Sequence, residues 1–278
     1  MNRLIRMIAA AAALAFASGG TLTPANAGEV WDRVLATKTL TVAAGTNWGP
    51  VSHLNDKKEL DGYDIDVAKA IAKSLGVQVK FVTPGWDLIA AGNWQGRWDM
   101  GMGQMTPTKQ RAQKFEFVIY CYVPSVAIVH KDSKATKLSD LDGKVIGVNS
   151  GGPEESYANH NFTPAWVNPK AITYEFTPGQ LKMYQSNNIA FDDLRLGDGV
   201  RLDAALGDDT VARDAIKHGY PLRVLDEPLF SGPGAISIIP GDKEFIDKVA
   251  AAVKTMVDDG TLSRLSVKWF GVDYSVEK

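Results

Sequence analysis

Cysteine is almost absent from this chain: Cys121 stands alone among 278 residues, so no internal disulfide can form and no thiol pair can hold a metal. The four histidines, His53, His130, His160 and His218, lack the short spacings of a metal site, and no metal or cofactor is expected. Long apolar runs are missing too. The one near the start, residues 7–17, falls short of the roughly 20 residues that span a bilayer as a helix. Neither sign of charge dominates: a formal net charge of −2 provides no basic excess to follow a phosphate backbone, which argues against a nucleic-acid partner. Gly101-x-Gly103 lacks the third glycine of the dinucleotide fingerprint and the acidic residue that should follow it.

What is present begins with Arg3 and Arg6, then the apolar run, then Ala25-Asn26-Ala27, the three parts of a secretory signal over residues 1–27. Cleavage is expected before Gly28, giving an exported periplasmic protein with no cysteine at the cleavage site to carry a lipid anchor. The mature chain of about 250 residues is long enough for one large α/β domain or two lobes with real cores. Mildly acidic, soluble and exported, it suits a small-molecule ligand.

Hydrophobic periodicity predicts alternating strands and helices. Strands are expected over residues 40–44, 77–81 and 99–102, with a helix over 64–75 stopped by Gly76 and a short helix capped by Asp87. Residues 126–129 read as a crossing strand after Pro124. A second series follows the Asp142-Gly143 turn: strands at 144–148, 172–176, 203–206 and 222–225, and a helix over 210–218 stopped by Gly219. A return crossing near 227–239 leads to helices over 243–259 and 262–269, expected to pack back on the first lobe.

The two series are related. Arg97-Trp-Asp-Met-Gly-Met-Gly-Gln104 recurs as Arg201-Leu-Asp-Ala-Ala-Leu-Gly-Asp208, with Arg, Asp and Gly in register. In the same order, Val42-Ala-Ala-Gly-Thr-Asn-Trp-Gly-Pro50 lies over Val145-Ile-Gly-Val-Asn-Ser-Gly-Gly-Pro153. Open α/β sheets bind ligands beyond the carboxyl ends of their strands. Loops from two such lobes would therefore face one shared cleft.

Further motifs are Leu60-Asp-Gly-Tyr-Asp-Ile-Asp-Val-Ala-Lys-Ala-Ile-Ala72, Trp86-Asp87 with Gly96-Arg-Trp-Asp99, Thr106-x-Thr108-x-x-Arg111, Leu141-Asp-Gly-Lys-Val-Ile-Gly-Val-Asn149 and Asp259-Gly-Thr-Leu-Ser-Arg-Leu-Ser-Val-Lys-Trp-Phe-Gly271. In this joint order the chain closely resembles the solute-binding proteins of polar amino-acid ABC transporters, bacterial family 3. The resemblance implies a type II periplasmic-binding-protein fold, two α/β lobes joined by two crossing strands, with residues 28–124 and 228–278 in lobe one and 125–227 in lobe two. It implies a monomeric binding protein, not an enzyme, that closes over an amino acid or similar small zwitterion and delivers it to an inner-membrane ABC permease.

By position, the resemblance implies that Arg111 grips the ligand carboxylate and Asp208 its ammonium. Gln104 and Thr106 assist, and Trp48 and Trp86 sandwich the side chain. The chemistry agrees, because a guanidinium is a rigid two-pronged donor for a carboxylate. Two positions depart from the family pattern. Gly152-Pro153 replaces the usual hydroxyl of the second-lobe loop, which leaves the Gly151 and Gly152 amides for the carboxylate, since Pro153 has no N–H. Asn47 stands where an acid is common, which points away from a lysine-like ligand and toward an apolar, aromatic or quaternary far end.

The alternative is an enzyme. The resemblance extends to periplasmic cyclohexadienyl or arogenate dehydratases on the same fold, and Glu154 and Glu155 would then supply the catalytic acid. Trp94, Trp98, Trp166 and Trp269 read as structural, and Cys121 as a small buried residue.

Overall fold

The computed structural model describes residues 29–277, the side chains at 226 and 227 excepted. The expected signal segment and its cleavage site lie outside the described residues. The chain opens with α1 (Glu29–Thr37), β1 (Thr39–Ala43), the small β2 (His53–Leu54) and β3 (Leu60–Asp61) hairpin, α2 (Tyr63–Ser74), β4 (Gln78–Val82), α3 (Trp86–Ala91) and β5 (Met100–Met105). The long β6 (Glu116–His130) leads into β7 (Val145–Asn149), α4 (Pro153–Ala158), β8 (Gln180–Tyr184), α5 (Asn187–Leu194), β9 (Ala204–Asp208) and α6 (Asp209–Lys217). The equally long β10 (Leu222–Ile238) returns to α7 (Lys243–Asp258) and α8 (Thr261–Phe270).

One eight-stranded sheet runs β4-β1-β5-β10-β6-β9-β7-β8. Its two outer triplets are internally parallel, and the antiparallel pair β6 and β10 joins them. Each triplet and its helices form a lobe. Both crossing strands are longer than the sequence pattern predicts, because β6 runs straight through Pro124, which stands opposite Ser231. Pro228 and Pro233 occupy β10, and the register slips near both.

The internal repeat has a structural counterpart. Asp99 Oδ2 accepts from the Thr41 amide at 2.7 Å, and the Asp99 amide donates to Thr41 O at 2.8 Å. In the other lobe Asp203 Oδ2 accepts from the Val145 amide at 2.8 Å, and its own amide donates to Val145 O at 2.9 Å. Each aspartate thus closes the start of the neighbouring parallel strand.

The first-lobe core joins Leu40, Val42, Val67, Ile71, Met100 and Ile236 to Phe245, Val249, Val253 and Leu262, so α7 and α8 pack on the first lobe. Asp242 begins α7 by accepting from the Phe245 amide at 2.9 Å and, through its other oxygen, from the Trp31 amide of α1 at 2.8 Å.

Two local expectations are corrected. Residues 172–176 form no strand; their backbone groups bond to side chains, with Thr173 O accepting from Tyr157 Oη at 2.9 Å, while Tyr174 and Phe176 cover the second-lobe core. The edge strand is Gln180–Tyr184, paired in parallel with β7 from Val145 to Asn149. At α3 the cap position is held by Gly85, and Asp87 sits inside the first turn.

Candidate ligand-binding site

The carboxyl ends of β1, β5, β7 and β9 meet around a cleft of about 620 Å³, counting the space open to solvent at its mouth. Its first-lobe wall includes Asn47, Trp48, Trp86, Gln104, Thr106 and Arg111, and its second-lobe wall includes Asn149, Gly152, Glu154, Ser186, Asn187 and Asp208. All the ligand-contact residues expected from the sequence line this cleft except Gly151, which lies against Arg111 at an adjoining depression; of the two candidate acids, Glu154 lines the cleft and Glu155 the depression.

Arg111 is placed by the turn that Thr108 starts, where Thr108 Oγ1 accepts from the Arg111 amide at 3.2 Å. Buried at 7 % exposure, its guanidinium donates to Thr106 O at 2.9 Å within its lobe and to Gly151 O at 2.7 Å across the cleft. Burial draws it down to about 10, while Glu154 and Asp208 push the other way; it stays cationic at neutral pH. The cleft is shut by further ties. Asn188 Nδ2 donates to Asn47 Oδ1 at 3.2 Å, and the Lys109 amide donates to Thr163 O at 3.0 Å.

The two indoles form a corner. Trp48 and Trp86 meet edge to face at 5.8 Å and 85°, and Arg111 lies over Trp86 at 5.6 Å. The close approach of both rings to the end of β5 requires glycine at 103, where a Cβ would stand 2.8 Å from Trp86 and 3.0 Å from Trp48.

The opposite wall is acidic. Glu154 is buried, and its Oε1 accepts from Ser125 Oγ at 2.5 Å; Ser125 in turn stands beside Asp208 in the β6/β9 ladder. Burial raises the Glu154 carboxyl, against the bond from Ser125, its own amide and Arg111. Burial also lifts Asp208, reinforced by the charges of Glu154 and Asp64 and opposed by Arg111, to about 8. Behind the first-lobe wall, the Gln104 amide donates to Tyr120 Oη at 3.0 Å, and Tyr120 Oη donates to Asp64 at 2.6 Å. Asp64 is wholly buried and raised to about 7, chiefly by burial.

Sequence reasoning gave Glu154 a place only as the acid of an enzyme, and it passed over Asn149, Ser186, Asn187 and Asn188. The last three were legible as a helix start: Ser186 Oγ accepts from the Ile189 amide at 3.4 Å and caps α5. Among the described residues no cluster of metal-ligating side chains occurs, and no helix is long and apolar enough to cross a membrane.

A two-lobed α/β protein with one sheet bridging its lobes and a polar cleft between them is a periplasmic-binding-protein fold. The model of the bacterial extracellular solute-binding proteins, family 3, matches residues 40–272, and the chain belongs to that family. It is similar to the L-cystine-binding protein TcyJ of Escherichia coli K12, 29% identical over 239 residues that cover 84% of each chain. It also resembles the crystal structure of an ancestral amino-acid-binding protein described as a precursor of cyclohexadienyl dehydratase, with 30% identity, 86% of this chain and 98% of that one covered, and a TM-score of 0.74. A third likeness is an ancestral arginine-binding protein bound to arginine, at 29% identity, 84% and 99% coverage and a TM-score of 0.72.

Proposed function

We propose that this chain is the exported binding component of an ABC importer, capturing an amino acid or a closely related small amine between its lobes and presenting it to an inner-membrane permease. The carrying observation is the closed cleft, in which Arg111 faces Asp208 and Glu154 from the opposite lobe. A solute touching both walls stabilises the closed form over the open one, the differential binding that closure requires. The lobes divide at the crossing strands, with residues 28–124 and 228–278 against 125–227, and Asn47, Trp48, Trp86, Gln104, Thr106, Arg111, Gly152 and Asp208 contact the solute. Support for the transport role comes from the family and from its amino-acid-binding relatives.

The test is a thermal-shift and fluorescence screen of amino acids and small amines on refolded, ligand-free protein. A true ligand at 100 times its Kd raises stability by about 2.7 kcal/mol and alters the emission of the Trp48–Trp86 corner. No response to any such solute would overturn the reading.

A buried Glu154 in the cleft, its carboxyl raised by burial, favours one second reading, a dehydratase that protonates a leaving hydroxyl. Incubation with prephenate or arogenate decides it: formation of phenylpyruvate or phenylalanine supports the enzyme, and unchanged substrate removes it.

A further inference from the structure

We propose, on the basis that the cleft is a solute site, that it selects an organic cation rich in N–H donors and lacking a free carboxylate. The first ground is that the loop amides expected to receive a ligand carboxylate are engaged within the chain. The Gly151 amide donates to Glu155 Oε2 at 2.6 Å, and the Gly152 amide donates to Asn149 O at 3.0 Å. Pro153 has no N–H to offer. Arg111 is stretched between Thr106 O and Gly151 O with its face on Trp86. Glu155 of α4 thus takes the Gly151 amide that the resemblance would assign to a ligand carboxylate.

The second ground is what the cleft leaves open. Among the residues that line it, the buried oxygens Asn149 Oδ1, Asn187 Oδ1 and Gln104 Oε1 have no hydrogen-bond partner, and Asp208 accepts a long bond of 3.4 Å from Asn187. Two donors, Gln104 Nε2 and Trp86 Nε1, are likewise unpaired. The second-lobe wall, with Asn149 Oδ1, Asn187 Oδ1 and Asp208, therefore offers acceptors that a ligand rich in N–H groups satisfies.

Charge gives the third ground. Two carboxyls, the buried Glu154 and the half-buried Asp208, face the single guanidinium of Arg111. Burial raises both carboxyls, so a bound cation would favour their ionised forms, whereas a zwitterion would set a further carboxylate against them. Burying unbalanced charge is the most unfavourable arrangement a closed site can have. The aromatic corner suits the same guest, since an indole face attracts a cation.

Matched pairs that differ only in the carboxylate test the idea: agmatine with arginine, putrescine with ornithine, histamine with histidine. Calorimetry on ligand-free protein is expected to find at least one decarboxylated member binding tenfold or more tightly than its parent. If the parents bind more tightly, the inference fails and the solute-binding reading stands. If no member of any pair binds, the inference fails as well, and the wider solute screen alone decides the broader reading. Glu154→Gln should shift the agmatine-to-arginine preference toward arginine by tenfold or more; an unchanged ratio in a folded variant overturns the inference. Should that variant not fold, Asp208→Asn is read in the same way.

Discussion

Arg111 works at two scales of distance, holding its own loop through Thr106 O and the opposite lobe through Gly151 O. Hydrogen bonds from a charged donor are worth about 1.5–3 kcal/mol each. Arg111→Ala is therefore expected to weaken solute binding by at least ten-fold while leaving the unliganded fold intact, as read by calorimetry and circular dichroism; unchanged affinity would remove it from the site. Gly103 serves the same wall. With φ at +119° and both indoles against it, Gly103→Ala should displace the Trp48–Trp86 corner, lower stability by about 1–3 kcal/mol and change the near-ultraviolet dichroism of tryptophan. Arg111 and Asp208 were legible from position and charge. Glu154 was not, because its neighbours Ser125 and Asp208 come from different strands and only the fold brings them together.

Among the elements, strands flanked by turn glycines and helices with one apolar stripe were read within a residue or two, as with α2 and α7. The failure at residues 172–176 is instructive. Their alternation comes from aromatic side chains packing over Tyr157, while the true edge strand, Gln180–Tyr184, is short and nowhere fully buried. The repeated aspartates make a prediction here. Asp99→Ala or Asp203→Ala leaves a strand amide, Thr41 or Val145, without its partner, and each should destabilise by about 1–3 kcal/mol in denaturant unfolding. Solute affinity should be little changed, since neither aspartate lines the cleft. A large loss of binding with unchanged stability would contradict this assignment.

For the molecule as a whole, the buried carboxylates set the dependence of stability on pH. Asp208 and Asp64 are raised from 3.8 to about 8 and about 7, so the folded protein holds protons that the unfolded chain releases near pH 4. Their contribution is fully present below the unfolded value and is lost as pH rises through the folded one. The melting temperature of ligand-free protein should fall between pH 5 and about pH 8.5, and Asp208→Asn should flatten the decline. The carboxylates held low, Asp140, Asp193 and Asp259, act below this window. A melting temperature that climbs across the interval would show that the acidic wall does not retain its protons.

Pro124, Pro228 and Pro233 all lie in the two central strands, within the stretch where the halves of the sheet join. A proline in mid-sheet is ordinarily a defect, because its nitrogen donates nothing to the ladder. If the lobes open as the proposed function requires, the missing rungs and the register slips beside them would let the ribbon act as an engineer's flexure, a narrow web that bends without a sliding joint. Opening need not tear a bond that was never made, so resistance to opening is concentrated at the lips of the cleft, where a solute can act on it.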